Sequence, residues 1–173
     1  VTDIFAECST DYDKDAQITH EFYAMVQNKF HYAITGKTAA EIVYSGADRE
    51  KDHMGLTTWK NAPEGRILKS DVSIAKNYLN EKELRAMGQL VSGYLDFAER
   101  QAEREQAMTM KDWAEHLDRI LTMSGEQLLQ GNGSVSHKQA VEKATTEYKK
   151  YKARTLSEVE KDYLDSIRML EHK

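Results

Sequence analysis

Apolar residues return every three or four positions between Ala16 and Ile34: Ile18, Phe22, Met25, Val26, Phe30 and Ala33, with Lys29 on the same line. That period lays one apolar stripe along an α-helix, and Gly36 is placed to end it in the left-handed conformation. Thr38-Ala39-Ala40-Glu41 has the form of a capping box, so a short second helix is predicted to Tyr44, closed at Gly46. Ser70 or Asp71 caps a helix through Val72, Ile74, Ala75, Tyr78 and Leu79. Asn80-Glu81-Lys82-Glu83 opens the longest helix, to about Glu105, with Leu84, Met87, Val91, Tyr94 and Ala98 near a heptad seam. Its last stretch, AERQAEREQ, is charged all round and is expected to project from the core or meet a partner. Thr109 starts a helix carrying Trp113, Leu117, Ile120 and Leu121. Ser124-Gly125 kinks or restarts it before Leu128 and Leu129, and Gly131-Asn132-Gly133 stops it. Ser136 caps a helix through Val141, Ala144, Tyr148 and Tyr151. Thr155-Leu156-Ser157-Glu158 caps a last one, with Val159, Tyr163, Ile167 and Leu170 on one face.

Residues 46–69 interrupt this periodicity with three glycines and Pro63. Leu56 to Trp59 and Arg66 to Leu68 are expected to pair as a short β-hairpin around residues 61–65. A break this long is either a functional loop or an ordered excursion over the core anchored by Trp59. The fold class is therefore all-α, with about six or seven helices and a hairpin within residues 55–69. Residues 1–154 form the main domain, and residues 155–173 form a helical extension packed on it or used in association.

Composition narrows this picture little. Hydrophobic residues make up 40% and charged residues 31%, and the net charge is −5. That balance argues against nucleic-acid binding by overall charge. The single cysteine, Cys8, cannot form an intrachain disulfide and fits a reducing cytoplasm. No apolar run is long enough to span a membrane. The chain starts at Val1, which reads as a processed chain or a piece of a longer one. Asp11, Asp13 and Asp15 alternate like the start of a calcium loop, but its glycine and closing glutamate are missing, so a solvated turn is expected. No histidine pair has metal-ligand helix spacing and no cysteine partners exist, so neither a metal nor a cofactor is expected. No G-x-S-x-G or complete Walker loop is present.

Six phrases in order carry a family resemblance: DIFAECSTDYD, FYAMVQNKFHYAITGKTAAEIVY, MGLTTWK, LKSDVSIAKNYLNEKEL, YLDFAERQAE and MTMKDWAEHLD. Together they make the chain resemble the C-terminal domain of the virulence-associated RhuM family of bacterial proteins over nearly all of residues 2–151. The resemblance implies a protein of pathogenicity islands and other mobile regions. It also implies an upstream region resembling a helix-turn-helix module, to which DNA contact would belong. It implies no defined activity, since the family name records genetic context.

His20-Glu21-Phe22 followed by Asn28-Lys29 is similar to the H-x-F…N-[GK]-[KR] motif of Fic and Doc proteins, where the histidine is a general base and a glycine turn holds phosphate. Here the spacing from His20 to Asn28 is two residues longer, and Ala24 to Gln27 contain neither glycine nor acid. The competing reading makes His20, Gln27, Asn28 and His31 a polar helix side that pins a neighbouring loop. Asn28, Lys29, His31, Thr38, Glu41, His53, Trp59 and Lys60 are the candidate pocket residues, with His20 as the one catalytic candidate. Tyr148-Lys149-Lys150-Tyr151-Lys152-Ala153-Arg154 interleaves cations with rings in a way that suits phosphate. Glu147, Glu158, Glu160 and Asp162 around it favour a solvated helix face. The first functional reading is a non-enzymatic cytoplasmic domain that self-associates or binds a protein partner. The second is a divergent Fic-like nucleotide-binding or transferase domain using His20, Phe22, Asn28 and Lys29.

Overall fold

The computed structural model describes residues 17–172. The expectations for Cys8, Asp11, Asp13 and Asp15 lie outside the described residues, as do those for the side chains of Ile18, Glu158 and Val159. Five α-helices and three short 3-10 turns make up the described fold, which contains no strand. The helices are α1 (Gln17–Thr35), α2 (Ala39–Gly46), α3 (Glu81–Glu103), α4 (Met110–Met123) and α5 (His137–Glu171). The all-α class is the one the periodicity predicts.

The described residues divide into two compact units, one made of residues 17–39 and 79–134, the other of residues 40–78 and 135–172. In the first, α1 packs on α3 and α4. Phe22, Val26, Phe30 and Ala33 of α1 meet Tyr94 and Ala98 of α3 and Met110, Trp113, Leu117 and Leu121 of α4 in one core. The rings are set edge to face: Phe30 on Tyr94 at 5.9 Å, and Tyr94 and Phe97 on Trp113 at 6.3 and 6.2 Å. The Tyr94 hydroxyl donates to the Trp113 carbonyl at 2.7 Å, which satisfies its buried polar end. Burial raises the Tyr94 pKa, with the Asp118 carboxylate adding to the shift. The seam of α3 is uneven, with Tyr94 and Ala98 buried and Leu84 exposed.

Local signals set the helix ends. Gly36 sits at φ 73°, and its amide donates to the Tyr32 carbonyl at 2.8 Å. Reciprocal capping boxes close at Asn80–Glu83, Thr109–Asp112 and Ser136–Gln139. The Thr109 amide, donating to Asp112, holds that carboxyl below the usual carboxylate range. The helix starting at Thr109 ends at Met123, and Gly125, at φ 73°, prevents a restart.

Three expectations are corrected. The hairpin of residues 55–69 does not form. The amides of Thr57 and Thr58 donate to the Asn77 carbonyl, and those of Lys60 and Leu68 to the Asp71 carboxylate, so no cross-strand ladder is left to make. Residues 70–79 are two 3-10 turns, Lys69–Ser73 and Ala75–Tyr78, in place of one helix. There Asp71 accepts inside a turn and Asn77 Nδ2 donates to the Asp71 carbonyl at 3.0 Å. The helices expected on either side of Thr155 are one helix, because the Thr155 hydroxyl donates to the Tyr151 carbonyl at 3.0 Å and so is spent within the helix.

Candidate functional site

The second unit is built on the excursion between α2 and α3. Ile42, Val43, Ala47, Met54, Leu56, Trp59, Ile67 and Val72 are buried, and Ala140 and Ala144 of α5 are buried with them. Gly46 is required where it stands, because a Cβ there would lie 2.7 Å from the Tyr78 ring. Asp71, 2% exposed, joins the two arms of the excursion: Oδ2 accepts from the Leu68 amide at 2.7 Å and Oδ1 from the Lys60 amide at 3.2 Å. The Asn77 carbonyl takes the Thr57 amide at 2.8 Å and the Thr57 hydroxyl at 3.0 Å. Trp59 is buried as the apolar anchor, and its Nε1 donates to the Gly65 carbonyl at 2.8 Å.

α5 docks on this excursion by its N-terminal half. The Tyr148 hydroxyl donates to the Ile67 carbonyl at 3.1 Å, and the Arg49 amide donates to the Glu147 carboxylate at 3.0 Å. The Lys143 ammonium donates to the Tyr44 carbonyl and lies 4.9 Å from the centre of the Tyr44 ring. Between the two elements lies a cleft of about 470 Å³, whose walls include His53, Trp59, Arg66, Tyr148, Tyr151 and Lys152. His53 and Met54 take the left-handed conformation at φ 54° and 63°, a costly state for residues with side chains. In that conformation the His53 ring stacks on Trp59, with centroids 4.8 Å apart and planes 29° apart.

The remaining sequence candidates have other surroundings. His20 is exposed on α1. Asn28 Oδ1 accepts from the Ala39 amide at 3.1 Å, closing the turn that leaves α1. Lys29, 9% exposed, is held by the Asp118 carboxylate of α4. The Gln27 carbonyl accepts from His31 Nδ1 at 2.7 Å. Burial pushes the His31 imidazole below its ordinary value, with that hydrogen bond offsetting part of the shift. Thr38 is buried ahead of α2, and Glu41 is half-buried in its first turn. Lys60 is exposed, and its amide donates to the Asp71 carboxylate. The candidates fall in both units: His20, Asn28, Lys29, His31 and Thr38 in the first, Glu41, His53, Trp59 and Lys60 in the second. Of them, His53 and Trp59 line the cleft.

In the first unit a wider hollow of about 670 Å³ is lined by Glu21, Phe22, Met25, Asn28, Met110 and Lys111, with His20 absent from its lining. α1 runs unbroken from Gln17 to Thr35, so no turn presents free amides to a phosphate between Phe22 and Asn28. Asn28→Ala is expected to cost about 1 kcal/mol of stability and His20→Ala close to nothing. Thermal unfolding of the two variants side by side reads the difference. Equal losses would contradict the role given to Asn28.

Arg66, Tyr148, Tyr151 and Lys152 were absent from the candidate pocket read from the sequence. The lysine–tyrosine run was visible, but nothing local announced that it faces residues 53–67. Among the described residues, no three His, Cys, Asp or Glu side chains converge to hold a metal, and no helix is long and apolar enough to cross a membrane. One family model, described as the virulence protein RhuM family, matches residues 1–159. No curated protein and no protein of solved structure matches the chain.

Proposed function

The chain belongs to the virulence protein RhuM family, and from that premise we propose that it is a non-enzymatic interaction domain of a modular bacterial protein, which self-associates through the C-terminal half of α5. The observation that carries this reading is the exposure of that half. Tyr163 is 66% exposed, Met169 73% and Leu170 72%, and Leu164 is exposed between them. Apolar groups gathered this way on one stretch of helix mark an interaction surface.

Tyr163, Ile167 and Leu170 recur at spacings of four and three and share a face, with Leu164 at its edge. Asp165 and Arg168 lie on the opposite face and pair with each other at 3.9 Å. Tyr163, Ile167 and Leu170 form the uncharged strip of this face, with Glu160 and Glu171 flanking it on the Leu164 side. A second copy of the chain is the proposed occupant, because an apolar strip of this kind is complementary to itself about a two-fold axis.

Light scattering after size exclusion, run over a range of protein concentrations, tests this. Wild type is expected to gain mass with concentration. Ile167→Glu with Leu170→Glu is expected to stay monomeric, while Arg168→Glu on the far face still associates. A wild type that is monomeric throughout, or an association that survives the double glutamate variant, would refute the reading.

A further inference from the structure

We propose that the cleft between the excursion and α5 binds a nucleoside monophosphate, with the base stacked on His53 and the phosphate held by Arg66 and Lys152. The inference is independent of α5 pairing, because the cleft uses Tyr148, Tyr151 and Lys152, upstream of the face that carries Tyr163 to Leu170.

Three observations lead to this ligand class. The first is size: about 470 Å³ lies in the range of clefts that enclose a small molecule and is too small for a folded partner. The second is a prepared stacking platform. One face of the His53 ring is covered by Trp59, and the ring is otherwise exposed at the cleft wall. Its backbone is held in the left-handed region to put it there. Tyr151 supplies a second ring, and flat aromatic surfaces of this kind take a base of any identity.

The third observation is charge. Arg66 and Lys152 both line the cleft, and among the described residues neither has a carboxylate within ion-pair distance. The neighbouring Arg154 is already engaged, 3.8 Å from Glu50 and over the Tyr151 ring. Two uncommitted cations beside one carboxylate, Glu64, match a single phosphate. They do not match the run of phosphates on a nucleic-acid strand, which the overall charge of −5 also disfavours. An acidic peptide would use the cations but would leave the His53 platform idle.

Calorimetric titration with AMP, CMP, GMP and UMP tests the proposal, alongside Trp59 emission in a Trp113→Phe background. Adenosine and inorganic phosphate are titrated as the separate halves of the ligand. At least one nucleotide is expected to bind saturably, with each half at least about tenfold weaker. Arg66→Gln with Lys152→Gln is expected to weaken nucleotide binding at least about tenfold with no change in unfolding midpoint, since both side chains are exposed. No saturable binding of any of the four nucleotides would overturn the proposal. So would inorganic phosphate binding as tightly as the nucleotide, nucleotide affinity unchanged in the double variant, or binding of an acidic tyrosine-bearing peptide in place of all four nucleotides.

Discussion

Trp113→Ala is expected to destabilise the first unit by about 3–5 kcal/mol, the largest effect of any single substitution considered for this chain. The indole is fully buried, touches the rings of Tyr94 and Phe97 edge to face, and lies at the centre of the cluster that joins α1, α3 and α4. Truncation removes its apolar burial and leaves a hole that Leu117 and Leu121, each on the same rigid helix, cannot fill. A loss of this size is comparable with the whole stability of many domains, which is about 5–15 kcal/mol. Near-ultraviolet circular dichroism during thermal unfolding reads it. Trp113→Phe keeps a ring against Tyr94 and is expected to lose much less. An unchanged midpoint for the alanine variant would mean that the core is not organised around this residue.

The second large effect is expected in the other unit. Asp71→Ala removes both carboxylate oxygens that accept from the Lys60 and Leu68 amides, and those donors stay behind with no partner. Losing hydrogen bonds to a charged acceptor in a nearly closed site costs about 3 kcal/mol or more. Asp71→Asn keeps the shape and one acceptor oxygen, so a smaller loss is expected. Hydrogen exchange localises the effect: the Lys60 and Leu68 amides should exchange much faster in Asp71→Ala, with little change at Tyr94 and Trp113 of the first unit. Uniform acceleration across both units would contradict the local role assigned to Asp71.

These two residues also separate what the sequence disclosed from what it withheld. Trp113 could be placed in the core beforehand, because its spacing to Leu117 and Leu121 is a helix period. The box at Asn80 is legible because Glu83 lies three residues away, and Thr109 and Ser136 are legible as helix starts, each with a reciprocal partner three residues on. The local pattern makes Ser70 or Asp71 a helix cap, whereas the Asp71 carboxylate also accepts from an amide eleven residues earlier. The hairpin expectation failed on the same ground: the Asn77 carbonyl that takes the Thr57 amide is twenty residues distant, and no local pattern marks such a pair. Thr155 shows the converse limit. Its residues spell a capping box, yet the same hydroxyl serves equally well inside a continuous helix by bonding the carbonyl four residues back.

The candidate site was half legible. His53 and Trp59 stood out as side chains capable of binding in an irregular stretch, and their stack lies in the wall of the cleft. The opposite wall, Tyr148 to Lys152, was visible as a basic aromatic run but read as a solvated face, because its partner segment lies some eighty residues upstream. Lys29 went the other way. Its spacing puts it in the apolar stripe and its chemistry among site residues, and its pairing with Asp118 of α4 makes it part of the packing of the first unit.

The pairing of α5 with a second copy is tested most directly by a distance between copies. One nitroxide label per chain, at Arg168→Cys with Cys8→Ser, sits on the helix face turned away from the apolar stripe and leaves that stripe intact. Two helices packed about 10 Å apart place such labels roughly 20–40 Å from each other. Pulsed electron spin resonance is expected to give a defined distance distribution in that range, abolished by Ile167→Glu with Leu170→Glu. A signal showing only the uniform background of separate molecules would contradict self-association through this face.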